Sequence, residues 1–113
     1  MTGPTIPDNE QLLEEPALGD ALATLEGWER DGASITKRFR FKGFKSAIAF
    51  VNRVADVVNK ANHHPDIHVE HYKHVRIVLT THKVKGLSQA DIDVAREIDS
   101  VYGPDRGAAT GVS

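Results

Sequence analysis

The sequence predicts an α+β fold, a two-layer sandwich of four short strands with three helices packed on one face. Two observations carry this. Apolar residues repeat at spacings of three and four between positions 44 and 58, but at a spacing of two between 68 and 82. These are the periods of an amphipathic helix and of a half-buried strand. Such segments follow one another in the order helix, strand, strand, helix, strand, strand, helix. Four short strands cannot bury both faces of a sheet alone, and three amphipathic helices on one face solve this. The other face is then available for subunit contacts.

Residues 1–7, with Gly3, Pro4 and Pro7, read as a loose arm. Asp8 or Asn9 is suited to cap a short helix running to about Leu13. Pro16 and Gly19 interrupt it, and Leu18, Ala21, Leu22 and Leu25 form a second short helical stretch that Gly27 ends. Trp28 starts a short strand, and Asp31-Gly32 reads as a hairpin turn. Over 34–41, Ile35, Phe39 and Phe41 share one face of a strand, and Thr36, Arg38 and Arg40 share the other. Lys37 falls on the apolar side, which an edge position or a snorkelling side chain would accommodate.

The clearest helix follows Gly43, with Phe44, Ala47, Ile48, Val51, Val54, Ala55 and Val58 in one stripe. Its β-branched residues lower its intrinsic propensity, so packing of the stripe must hold it. It is expected to end near Asn62, because Pro65 pushes His64 out of the helical region. Val69, His71 and Lys73 are alternate positions of a third strand. Val75, Ile77, Leu79 and Thr81 share one face of a fourth, which His82 ends, and Lys85-Gly86 closes this region. In the last helix Ser88 is the cap, Asp91 is a capping-box acid, and Leu87 can staple against Ile92. Ile92, Ala95, Ile98 and Tyr102 form its stripe, Gly103-Pro104 stops it, and 105–113 reads as a mobile tail.

The 113 residues suit one domain, spanning 1–113. With 40% hydrophobic and 27% charged residues, the composition is that of a folded soluble chain. A net charge of -2 gives no globally basic surface for a polyanion, so no direct nucleic-acid partner is expected. The basic run Lys37, Arg38, Arg40, Lys42, Lys45 is accounted for by the outside of a strand and a helix start. The absence of cysteine excludes disulfides and thiolate chemistry. No apolar stretch is long enough to cross a bilayer, and the first residues lack the basic and apolar regions of a signal peptide. A cytoplasmic location without a membrane partner is the expectation.

All six histidines (63, 64, 68, 71, 74, 82) fall within twenty positions. Imidazole both donates and accepts a proton near neutral pH, so two or three lining a concave site suit proton transfer. Three readings stand side by side: acid/base catalysis, a metal site, or surface and packing residues. The metal reading is weakened because His64 and His68, at ligand spacing, enclose Pro65, which argues against a helix there. His68, His71 and His74 are individually read as surface residues of an irregular strand pair.

The string Asn62-His63-His64-Pro65, then Tyr72, then Thr81-His82, then Gly86-Leu87-Ser88 and Asp91, resembles the signature of the pterin-4a-carbinolamine dehydratases. The resemblance runs from Leu25-Gly27-Trp28 through Arg38-Phe39-Phe41, Phe44, Phe50 and Val54-Ala55 to Asp99, most of the chain. It implies a four-stranded antiparallel sheet with three helices on one side and assembly as a homodimer or homotetramer. It also implies dehydration of 4a-hydroxytetrahydrobiopterin to the quinonoid dihydropterin, in recycling of a pterin cofactor, with no metal and no bound cofactor. His63, His64 and His82 correspond to the family's active-site histidines. His63 and His82 are then the acid/base pair, with His64 orienting the pterin and Pro65 shaping the loop. Thr81 and Asp91 match the motif, and helix capping accounts for Asp91 equally well.

The chain departs from the family pattern at three places. The family's usual glutamate four positions before the first histidine is here Asn59, which can hydrogen-bond but cannot stabilise an imidazolium by charge. Ile67 stands where an aromatic residue is usual, and the segment between Pro65 and Tyr72 is one residue longer than in animal members. The competing reading is a non-catalytic protein-binding or assembly module on the same scaffold. In animals one member serves as a dimerisation cofactor of a transcription factor, a role that does not transfer by resemblance.

Overall fold

The computed structural model describes residues 6–103. Most of the expected arm, together with Pro104 and the expected tail, lies outside the described residues. Helices α1 (Ala17–Ala23), α2 (Phe44–Ala61) and α3 (Gln89–Tyr102) cover one face of a sheet. Its strands are β1 (Glu29–Asp31), β2 (Ser34–Arg40), β3 (Asp66–Glu70) and β4 (His74–Leu79), in the order β1-β2-β4-β3. Every pair is antiparallel, so the α+β sandwich expected from the alternating periods is the fold.

Register decides which side chains meet the helices. Ile35 lies opposite Leu79 and Phe39 opposite Val75, while Ile67 lies opposite Ile77. Ile35, Phe39, Val75, Ile77 and Leu79 are all buried on the helix side. Arg38 and Arg76 are directly opposed on the open side, where like charges repel. Glu70 offsets this by accepting from Arg38 at 3.0 Å and from Arg76 at 3.1 Å. Lys37 is neither at an edge nor in water, because β2 has neighbours on both sides. Its ammonium donates to Asp99 Oδ1 at 2.9 Å and to the Glu26 carbonyl at 3.0 Å. Trp28 Nε1 donates to the other Asp99 oxygen, so an apolar-face lysine is neutralised by the last helix.

The inner row of α2 is Ala47, Phe50, Val54 and Val58. Ala47, Val54 and Val58 belong to the expected stripe, but Phe50 was not in it, and the stripe's other members lie to one side: Ile48, Val51 and Ala55 are half-buried and Phe44 is 54% exposed. Spacing alone does not choose between adjacent rows of one helix, and the ring of Phe50 does. It packs against Phe39, Phe41 and Tyr102 with centroids 4.9, 5.0 and 5.7 Å apart.

Three local expectations are corrected. The helix from Asp8 to Leu13 is only a 3-10 turn, Asp8–Glu10, without a side-chain cap. The chain then extends, with Leu12 bridged to Ser88 and the Leu13 N–H donating to the Leu87 carbonyl at 2.8 Å. So short a segment has no helix nucleus to lose, and pairing with the loop before α3 wins. Pro16 starts α1 rather than interrupting a helix, since its missing N–H is no loss at a first turn. His71 and Tyr72 adopt left-handed conformations (φ 50 and 54), so β3 ends at Glu70 and they form the turn into β4.

Candidate active site

The site begins where α2 stops. Asn62 takes the left-handed conformation (φ 54), which asparagine tolerates better than most residues, and caps the helix. The His63 N–H then reaches back to the Val58 carbonyl at 3.2 Å. This turn tucks His63 against α3, where it is buried, and Pro65 leads His64 outward into β3.

The N-terminus of α3 receives His63. Ser88 and Asp91 form the expected capping box. Asp91 is fully buried, and its carboxylate accepts three hydrogen bonds. Oδ2 takes the Ser88 N–H at 3.0 Å and the Thr81 hydroxyl at 2.7 Å. Oδ1 takes Nε2–H of His63 at 2.7 Å. Since Thr81 spends its only proton on the carboxylate, the 2.7 Å contact between Thr81 and Ser88 is donated by Ser88. One side chain therefore caps α3 through Oδ2 and holds His63 through Oδ1.

Fixing the proton of neutral His63 on Nε2 leaves Nδ1 as its free nitrogen. The hydrogen bond to Asp91 raises the His63 pKa above its ordinary value of 6.5. Burial opposes this, the charges of Asp91 and Glu10 add to it, and Lys83 subtracts from it.

A cleft of about 300 Å³ opens beside this network, lined by His63, His64, His82, Thr81, Glu10 and Lys83. His64 Nε2 donates to Asn59 Oδ1 at 2.9 Å, so Asn59 supports the second histidine of the pair. His82 does not end a strand. It opens a 3-10 turn, His82–Val84, and is exposed beside the cleft. Thr81 is buried, in line with the inner face of β4. Pro65 is half-buried, and neither it nor Asp91 lines the cleft.

His68, His71 and His74 do not join the cleft. His74 stands on the open face of the sheet, where burial first, then Arg38, Arg40, Lys73 and His71, lower its pKa. Among the described residues no group of three or more His, Cys, Asp or Glu side chains is arranged to hold a metal ion. Nor is any helix among them long and apolar enough to cross a membrane.

Sequence reasoning missed Glu10 and Lys83. Lys83 Nζ donates to Glu10 Oε1 at 2.7 Å, and Glu10 Oε2 lies 4.0 Å from His63 Nδ1. Lys83 adjoins His82 and was open to suspicion for that reason. Glu10 carried no signal, because only the extended segment at Leu12 and Leu13 brings it here.

These features define an α+β sandwich with a histidine-lined cleft at the junction of α2, α3 and the end of β4, an arrangement chemically suited to proton transfer. The family model described as Pterin 4 alpha carbinolamine dehydratase matches residues 11–101. The chain belongs to the pterin-4a-carbinolamine dehydratase family. A protein of Thermomicrobium roseum named as a pterin-4-alpha-carbinolamine dehydratase is 41% identical over 86 residues, covering 76% of this chain and 91% of the relative. A Nocardia farcinica protein of the same name is 40% identical over 91 residues, covering 80% and 95%. Among solved structures, the crystal structure of a transcriptional coactivator/pterin dehydratase from Brucella melitensis superposes with a TM-score of 0.76 at 32% identity, covering 80% of this chain and 98% of that one. A pterin dehydratase-like RuBisCO assembly factor of the alpha-carboxysome, 22% identical with a TM-score of 0.56, shares the fold.

Proposed function

We propose that this chain dehydrates 4a-hydroxytetrahydrobiopterin, the 4a-carbinolamine, to quinonoid dihydropterin in a cytoplasmic pterin-recycling reaction. The observation that carries the reading is the Asp91–His63 hydrogen bond at the wall of a cleft shared with His64 and His82. In the reaction the C4a–O bond breaks, the N5–H bond breaks, and its electron pair forms C4a=N5 as water leaves. The departing hydroxyl needs an acid and N5 needs a base. His63 is the acid: Asp91 favours its charged form, and its free Nδ1 carries the transferable proton. His82, exposed at the cleft, is the base, and His64, steadied by Asn59, orients the pterin. Thr81 and Asp91 act behind His63, and Pro65 sets the direction of the loop.

Dehydration of enzymatically generated 4a-hydroxytetrahydropterin, followed spectroscopically, tests this. The wild type is expected to exceed the uncatalysed rate, and His82→Ala to lose about 100-fold or more of that gain while remaining folded. A wild type that only matches the background rate would sink the dehydratase reading and leave the non-catalytic assembly module.

Self-association belongs to the same proposal. Phe44, Ile48, Val51 and Ala55 form an outer apolar row on α2, and β3 is an edge strand with one side unpaired. A homodimer or homotetramer is expected by sedimentation equilibrium, with Phe44→Glu shifting the mass downward. A monomeric wild type at all concentrations would refute this part.

A further inference from the structure

The N-terminal segment contributes one carboxylate to the cleft, and nothing in the motif accounts for it. Glu10 has a side chain only 13% exposed, although its partner Lys83 is 60% exposed. This is not the pattern of a pair of surface residues meeting in water. The Lys83 contact uses Oε1 and turns Oε2 toward Nδ1 of His63. The backbone holds this placement: the Glu10 N–H donates to the Pro7 carbonyl at 2.9 Å, and Leu12 and Leu13 are pinned to Ser88 and Leu87. Gly86 leaves the space this pinning needs, since a Cβ there would stand 2.6 Å from Leu12 Cδ1.

The separation has chemical meaning. At 4.0 Å, Oε2 is too far to take the Nδ1 proton as a hydrogen bond, yet close enough to stabilise charge on the ring. A carboxylate at hydrogen-bonding distance would hold the proton that the reaction must deliver. Asn59, whose amide carries no charge, serves His64 and not His63. Resting on the dehydratase reading above, we infer that Glu10 is a positioning residue whose carboxylate, aimed by Lys83, backs the working nitrogen of His63. Asp91 of α3 faces the opposite nitrogen, and Lys83 opposes Glu10 from the turn after β4. Asp93 and Glu97 of α3 border a second, smaller cleft that His63 also lines. His64 and His82 are the other ionisable side chains lining the cleft.

The test is the NMR titration of the His63 ring, with the pH–rate profile, in wild type, Glu10→Gln and Glu10→Asp. Glutamine keeps the size of the side chain and still accepts from Lys83, so melting should change little. Glu10→Gln is expected to move the His63 titration to lower pH and to reduce kcat roughly 10-fold with little change in KM. Glu10→Asp keeps the charge and should recover most of the titration shift. A His63 ring that titrates in Glu10→Gln as in the wild type overturns the inference, whatever the rate does. A shifted titration in a protein whose wild type shows no dehydration would uphold the electrostatic coupling and refute only the reaction assigned to it.

Discussion

Replacing His63 by alanine is expected to remove most of the dehydration rate, about 100- to 10,000-fold, while the fold persists. The size follows from what one positioned acid contributes to proton transfer. Among the three cleft histidines, His63 alone has one ring nitrogen bonded to a buried carboxylate and the other turned to the cleft. His64 is held by a neutral amide, and His82 has a different place in the proposed reaction. The substitution also leaves Asp91 Oδ1 without its donor at a fully buried position, which costs about 1–3 kcal/mol. Spectroscopic dehydration should therefore be read beside circular dichroism and a denaturant curve. A folded His63→Ala protein that retains wild-type dehydration would remove His63 from the mechanism.

Asp91→Asn should be as damaging to rate and more damaging to stability. The carboxylate accepts from three donors, and an amide has one oxygen to offer them. If the amide nitrogen faces His63, it donates, and the ring must accept through Nε2. Its one proton then sits on Nδ1, where giving it up would leave an imidazolate, so this neutral tautomer cannot serve as the acid. A comparable tautomer error in the serine protease triad costs about 10,000-fold. If the amide nitrogen turns the other way, it confronts Ser88 and Thr81 and breaks the capping box. Loss of the cap and of charge-assisted hydrogen bonds together should cost about 2–4 kcal/mol.

The pH dependence of that loss has a definite sign. The His63 pKa is raised in the folded protein, chiefly by the Asp91 hydrogen bond. The resulting stabilisation is fully present below the ordinary value of 6.5 and is lost as pH rises through the folded value. In Asp91→Asn burial is left without its main counterweight, and protonated His63 no longer stabilises the fold. The stability gap between the two proteins should therefore be widest on the acid side of 6.5 and narrow toward alkaline pH. Denaturant midpoints at several pH values check this, and a gap that widens with rising pH would contradict the assigned network.

The capping box, the end of α2 at Asn62 and the buried alternation of β4 were legible because each signal acts over a few residues. A cap bonds to a nearby N–H, a proline restricts its predecessor, and a period of two repeats along one strand. The pairing of His63 with His64 after a helix was legible for the same reason, and the family motif preserves it. The row of α2 that faces the core was less so, because two adjacent rows satisfy the same spacing and only contact with Phe39, Phe41 and Tyr102 selects Phe50. The short helix expected after Asp8 failed because its local preference was weaker than pairing with Leu87 and Ser88.

By itself, then, the sequence determined the order of elements, the α+β sandwich, the capping of α3 and the three histidines that share a cleft. The tertiary structure alone decided that Asp91 bonds His63 as well as capping its helix, that Asn59 serves His64, that Lys37 meets Asp99 across the layers, and that Glu10 faces His63. Hydrophobic periods and caps are repeated or local, so they leave a pattern in the chain. A contact between two polar side chains far apart in sequence is made once, at a distance set by packing, and leaves none.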